Sequence, residues 1–420
     1  MTRPLLGFAG SRVLQLRKMM NIARRVLPLV VVLSIASPAL AGGRKITLQV
    51  PAYDVPPNSD REICTFIRLP VRKALELGGT IIQNQPISEH STSHHFIIYA
   101  YNGADMEELA AKFEGKIVDS KACLDFAPND PSALQFIGGA QTPFQHQRFP
   151  RGLALQLSPA PTAAPAVAGA KAKAKSGQAI GLVLNSHWIN STSETQHVSV
   201  TVTLEPPKHK VKKHLAPIFE VLANGFLDVA PGQIRKTGGQ WGPGGLDIGV
   251  NFGGVAFPKG PACVTMITGH MHRRGKLFTV DFVRPEGTER LYSNEFYSDP
   301  PQRMFPKPML VRETDRLVYE CTHDNGVNDD VKMGCEEEAG VTPGRSIIEQ
   351  FTSGRVNGGA SVSGAAKRCT TDADCAGFGT GRCVPAKLVF GFTSDDDMCI
   401  LPGYYYDAKT KARPGHECDL

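Results

Sequence analysis

Short runs in which apolar and polar residues alternate recur along this chain, and a period of two leaves a segment little choice but a strand. Ile46, Leu48 and Val50 stand against Thr47 and Gln49, and residues 198–204 repeat the pattern. Residues 63–69, 81–84, 180–187, 277–283, 317–321 and 388–392 are β-prone in the same way. Successive side chains of a strand point to opposite faces, so such runs predict sheets with a buried face. The chain has 42 Gly and 31 Pro in 420 residues, an excess that supplies turns. Together these features predict an all-β protein of antiparallel β-sandwiches. One short helix is expected over 107–113, because Met106, Leu109, Ala110 and Phe113 fall on one helical face.

The length fits two domains of ordinary size. Glu205-Pro206-Pro207 breaks a strand and a basic run, 208–213, follows it, which places the boundary there. An N-terminal domain over 44–205 and a C-terminal domain over 208–420 are expected. Residues 159–178 are an Ala-, Pro- and Lys-rich loop with no core to build. The net charge of +6 resides largely in the N-terminal segment and in the short Lys clusters at 171–175 and 208–213. Neither cluster has the extent of a nucleic-acid surface. The Gly-rich run 237–254 lacks the G-K-[ST] ending of a phosphate cradle.

The N-terminus carries the pattern of a secretory signal over residues 1–41. Arg24 and Arg25 precede the apolar run 26–36, and Ala39-Leu40-Ala41 supplies small residues around a cleavage point. The basic stretch before it is long, so Met19 or Met20 is a candidate start. The apolar run is too short to span a membrane, and no later stretch offers a span. A mature chain starting near Gly42, periplasmic or secreted, gives ten cysteines an oxidising compartment and room for up to five disulfides. No C-x-x-C pair is present. Four cysteines, Cys335, Cys369, Cys375 and Cys383, crowd into 335–383, which reads as a small disulfide-stapled insertion.

Histidines mark the candidate chemistry. In the run 267–275, I-T-G-H-M-H-R-R-G, His270 and His272 stand two apart, so an extended backbone projects both to one side with Met271 turned away. Two neutral imidazoles side by side form half of a site for zinc, copper, iron or nickel. His94 and His95 begin a β-prone run and share one metal only if the backbone there departs from a regular strand. His187 lies at a strand end, on the same face as Val183 and Asn185. Met398 precedes Cys399 in the late run D-D-D-M-C.

In this order, across residues 44–420, the landmarks His94-His95, His187, His270-x-His272 and Met398 resemble the copper type II, ascorbate-dependent monooxygenases, the family of peptidylglycine alpha-hydroxylating and dopamine beta-monooxygenases. The resemblance implies two jelly-roll-like sandwich domains, each holding one copper. His94, His95 and His187 would hold an electron-transfer copper, and His270, His272 and Met398 a catalytic one, where the soft thioether favours Cu(I). It also implies disulfides Cys64–Cys123, Cys321–Cys399 and Cys263–Cys418, with the other four cysteines pairing within the insertion. In the family, ascorbate reduces both coppers, dioxygen reacts at the Met-containing site, and one oxygen atom becomes a hydroxyl on an aliphatic carbon.

The chain departs from the peptide-hydroxylating pattern around the substrate. Thr268 stands where those members have an arginine, Pro402 where they have a tyrosine, Ile400 for an asparagine and Asn185 for a glutamine. The expectation is therefore a copper monooxygenase acting on a small organic substrate other than peptidylglycine, with a non-enzymatic copper-binding protein as the alternative.

Overall fold

A computed structural model describes residues 43–420 apart from 72, 86–90, 120–122, 124–133, 161–177, 246–256, 299 and 353–363. The expected signal peptide, nearly all of the low-complexity loop and half of the Gly-rich run lie outside the described residues.

The alternating runs become strands, 388–392 only over Leu388–Val389, and the strands become sheets stacked face to face. In the first half, Ile46–Val55, Gln196–Glu205, Gly79–Gln85 and Phe144–Arg148 form a four-stranded sheet in that order. Val118–Asp119, Ser59–Pro70, Ala179–Asn190, Ser91–Tyr101 and Leu134–Ala140 form a five-stranded one. Leu48, Val50, Val200 and Val202 of the first sheet pack with Ile63, Phe96, Ile98, Leu182 and Leu184 of the second in one apolar cluster. The opposite face of the five-stranded sheet carries Cys64, Phe66 and Val183 and is covered by helix Met106–Phe113, which buries the four apolar residues its spacing singled out. That outer face also carries Asn185 and His187, since both share the period of Val183.

In the second half, Gln233–Trp241, Arg316–Asn325, Gly275–Arg284 and Gly287–Asn294 form a four-stranded sheet. It faces a seven-stranded sheet whose main path runs Arg303–Val311, Ala262–Ile267, Cys399–Asp407, Lys213–Glu220, Leu153–Leu157 and Leu75–Leu77, with His270–Met271 added on Cys399–Asp407. Trp241, Phe278, Val280 and Leu317 meet Ile218, Val264, Ile267 and Leu401 between the two.

This seven-stranded sheet crosses the expected boundary at 205–208. Lys213–Glu220 runs parallel to Leu153–Leu157, pairing Lys213 with Leu153 and Leu215 with Leu155. Tyr404 and Tyr406 pack into the core of the first half, while Leu401 and Tyr405 pack into that of the second. One strand thus serves two cores, and the halves are joined by shared apolar packing as well as by the chain.

Five disulfides account for every cysteine: Cys64–Cys123, Cys263–Cys418, Cys321–Cys399, Cys335–Cys375 and Cys369–Cys383. The last two staple the insertion, whose strands Met333–Cys335 and Cys383–Pro385 pair antiparallel. No helix among the described residues is long and apolar enough to cross a membrane.

Candidate metal centre

The pair His94-His95 lies inside strand Ser91–Tyr101, next to Ala179–Asn190. Register across these strands matches His187 with His95 but Trp188 with Ser93, so His94 is an extra residue on its strand. A bulge of this kind re-aims a side chain. It is the departure from regular pairing that adjacent histidines need to share a face. The rings of His94 and His95 are 5.2 Å apart, those of His94 and His187 4.9 Å, and those of His95 and His187 5.0 Å. One ligand atom from each lies within 4.8 Å of the others, and all three residues are buried.

Acceptors around these rings fix which nitrogen is basic. His95 Nε2 donates to Asn185 Oδ1 at 2.7 Å, and the Asn185 amide donates to Glu62 Oε1 at 2.7 Å. His95 Nδ1 is therefore the basic nitrogen, and it is buried without a hydrogen-bond partner, as is His94 Nε2. His187 Nε2 bonds the Asp60 carboxylate, which likewise leaves Nδ1 as the basic atom. A carboxylate or amide behind a histidine is the usual arrangement for orienting a metal ligand. Asn185 thus orients His95, a candidate ligand.

The second set is built from a tight turn. Strand Ala262–Ile267 pairs with Cys399–Asp407, and the chain resumes pairing at His270, opposite Ile400. Gly269 sits in between, where a Cβ would come within 2.5 Å of the Phe278 ring, so any side chain would force that turn open. Met271 is buried in the second-half core, while His270 and His272, with ring centroids 5.4 Å apart, turn to the other side. His270 Nε2 lies 3.0 Å from Met398 Sδ. Both ring nitrogens of His272 are buried without partners. Met304 and Met309 pair along Arg303–Val311 with Met266 and Val264, and Met304 is exposed, consistent with packing or surface roles.

The two sets are not apart. His94 lies 5.0 Å from His272 and 6.1 Å from His270, and His95 lies 5.8 Å from His270, centroid to centroid. Five imidazoles and a thioether from both halves form one buried cluster. Burial and the neighbouring imidazoles hold His94 and His270 well below the usual histidine range. Burial likewise brings His272 down to about 4, although the Asp397 carboxylate opposes it. At neutral pH these rings present lone pairs instead of charge.

That combination fits a borderline or soft metal: uncharged imidazoles, orphaned buried ring nitrogens and one thioether. Among the described residues Cys335, Cys369 and Cys375 also lie close together, but they are committed to disulfides.

Residues beyond the six were not legible in sequence. Asp397 Oδ1 accepts the backbone N–H of His272 at 2.9 Å and of Met398 at 2.8 Å. Its Oδ2 meets His323 Nδ1 at 2.8 Å, and His323 Nε2 meets Thr237 Oγ1 at 2.8 Å. Glu62, Asp60, Asp397 and Gln141, whose side-chain amide meets His270 Nδ1, carry no spacing that marks them, since each acts through a partner distant in the chain. Thr268 donates to the Pro301 carbonyl at 3.1 Å, and Ile400 packs with Met398 and Phe390.

No family model and no curated protein matches the chain. Among solved structures, one titled "Structure of infectious bursal disease virus Gt strain" aligns over 92% of this chain and 86% of its own, at 10% identity and a TM-score of 0.12. A likeness at that level carries no argument about fold or function.

Proposed function

We propose that this protein is an extracytoplasmic copper-dependent monooxygenase that hydroxylates an aliphatic C–H of a small organic substrate, using dioxygen and ascorbate or an equivalent reductant. The observation that carries the reading is the convergence of His94, His95, His187, His270, His272 and Met398, six residues spread over 305 positions (94 to 398, inclusive), into one buried cluster. Five disulfides and the signal-like N-terminus support a periplasmic or secreted setting.

His94, His95 and His187 would hold one copper and His270, His272 and Met398 a second. Bound there, copper would supply one-electron redox chemistry and a site for dioxygen. The protein's own part is visible in its residues. Asn185 and Asp60 hold the protons of His95 and His187 on Nε2, so the Nδ1 lone pairs point inward. Burial keeps His94, His270 and His272 neutral, so no proton competes for the donors at neutral pH. Asp397 ties the backbones of His272 and Met398 to one carboxylate, which keeps imidazole and thioether in register. Ile400 and Phe390 beside Met398 make that side of the site apolar and exclude water. With Thr268 in place of a carboxylate clamp, the substrate is expected to lack a peptide C-terminus.

A copper storage or delivery protein is the second reading, favoured by the complete burial of His187 and His272. The unequal softness of the two donor sets argues against it, because storage needs no such division. The test is to load the metal-free protein with copper, measure stoichiometry, and follow oxygen uptake with ascorbate over a panel of small hydroxylatable compounds. About two coppers per chain are expected, with His94→Ala and His270→Ala each losing roughly one. Hydroxylated product must form in step with oxygen consumed. Bound copper without product formation would leave storage as the reading.

A further inference from the structure

Each ligand set is braced by the half of the chain that does not contain it. Gln141, in the turn between strands Leu134–Ala140 and Phe144–Arg148 of the first half, sets its side-chain amide against Nδ1 of His270 in the second. His270 Nε2 faces Met398, so for that nitrogen to bind a metal Nδ1 must keep the proton, and the amide must present its oxygen. An amide can do either by turning over. The first strand of this turn pairs Ala140 with Phe96, the residue after His95.

The converse brace is Ser394 of the second half, which acts through Asp60 of the first. One oxygen of this first-half carboxylate holds His187. The other accepts the Ser394 hydroxyl at 2.5 Å and the Ser394 backbone N–H at 3.2 Å. Ser394 lies in the turn 393–397, closed by Thr393 Oγ1 donating to Asp396 Oδ2 at 2.8 Å. Asp397 at the end of that turn binds the N–H groups of Met398 and His272. A connected path therefore runs from His187 through Asp60 and Ser394 to the thioether, and a second from His270 through Gln141 to the strand of His94 and His95.

We propose that Asp60 and Gln141 are positioning residues that couple the two ligand sets, so that a metal ion in one preorganises the other and the pair fills cooperatively. This rests on the copper reading above. An ion that fixes His187 fixes Asp60, and through Ser394 it restricts the turn that carries Met398. Coupling of this kind is reciprocal, because each ion must raise the affinity of the other by the same factor.

The test is a Cu(I) titration of the full-length metal-free protein against a chromophoric competing chelator. The wild type should bind two ions, the second about 5- to 150-fold more tightly than independent sites allow. Ser394→Ala removes the cross-half arm while leaving Asp60 on His187. It should keep two ions and lose most of that factor, and Ser394→Thr should restore it. Gln141→Ala interrupts the other path and should behave like Ser394→Ala, so failure of one variant to fold leaves the other as the test. Asp54→Asn, which alters an exposed carboxylate on His197, should change nothing. Two ions bound independently in the wild type, or cooperativity unchanged in Ser394→Ala and Gln141→Ala, overturns the coupling and leaves the copper reading standing. Binding of no copper overturns both.

Discussion

Asp397 and His323 form a pair with no exposure to solvent on either side chain, their Oδ2 and Nδ1 atoms 2.8 Å apart. The other oxygen of the same carboxylate takes the backbone N–H groups of His272 and Met398. A buried pair whose second oxygen organises two candidate ligands links the stability of the second half to the geometry of the site.

Asp397→Ala should therefore cost about 3–5 kcal/mol, because it strands a buried partner and two backbone donors. Asp397→Asn should cost less, since the amide oxygen still accepts from both N–H groups. Denaturant unfolding of the metal-free protein measures both. An alanine variant within 1 kcal/mol of wild type would show that the pair does not hold the site together.

The proposed copper function makes Met398 the sulfur donor. X-ray absorption on the reduced, copper-loaded protein should show one copper–sulfur scatterer. That signal should vanish in Met398→His and persist in Met304→Leu, because Met304 is exposed on a strand pairing with Met266. Sulfur scattering that survives loss of Met398 would mean that the wrong methionine has been assigned.

Glu220 gives a pH dependence that does not involve the candidate ligands. Burial pushes its carboxyl up from 4.5 to about 7, against hydrogen bonds from the Leu222 N–H and the Tyr319 hydroxyl. Above pH 4.5 the unfolded chain gives up this proton while the folded protein keeps it. Stability contributed by the protonated carboxyl is thus full below 4.5 and lost as pH rises through 7, a change of about 3 kcal/mol. Glu220→Gln should remove this slope and be the more stable protein at pH 8. Parallel wild-type and variant curves between pH 4.5 and 8 would refute the assignment.

Removing Cys64–Cys123 by a double substitution to alanine should destabilise the protein by about 4 kcal/mol from loop-closure entropy alone, given a separation of 59 residues. Asn185 Nδ2 lies 3.4 Å from Cys64 Sγ, so the change also reaches the residue that orients His95. Copper affinity of the first ligand set should fall with it. Unchanged thermal unfolding and unchanged copper binding would together discount this disulfide as a support of the site.

Local chemistry alone determined the β class, the helix at Met106–Phe113 and the stapled insertion, because period, turn residues and residue type act within a few positions; the set of candidate ligands came from the resemblance that their order carries. The tertiary structure decided what those parts do together. Strand Cys399–Asp407 shows no alternation, since its two faces enter two different cores, and the sheet that contains it runs past Glu205-Pro206-Pro207 for the same reason. The bulge at His94 is a mismatch between two strands some ninety residues apart, visible only once they pair. Asp60, Gln141, Asp397 and His323 are ordinary polar residues until folding half-buries the first two and fully buries the last two. With little or no water left around them, each lone pair and proton must find a fixed partner, and those partners lie far along the chain, on the other half for Gln141 and for one oxygen of Asp60.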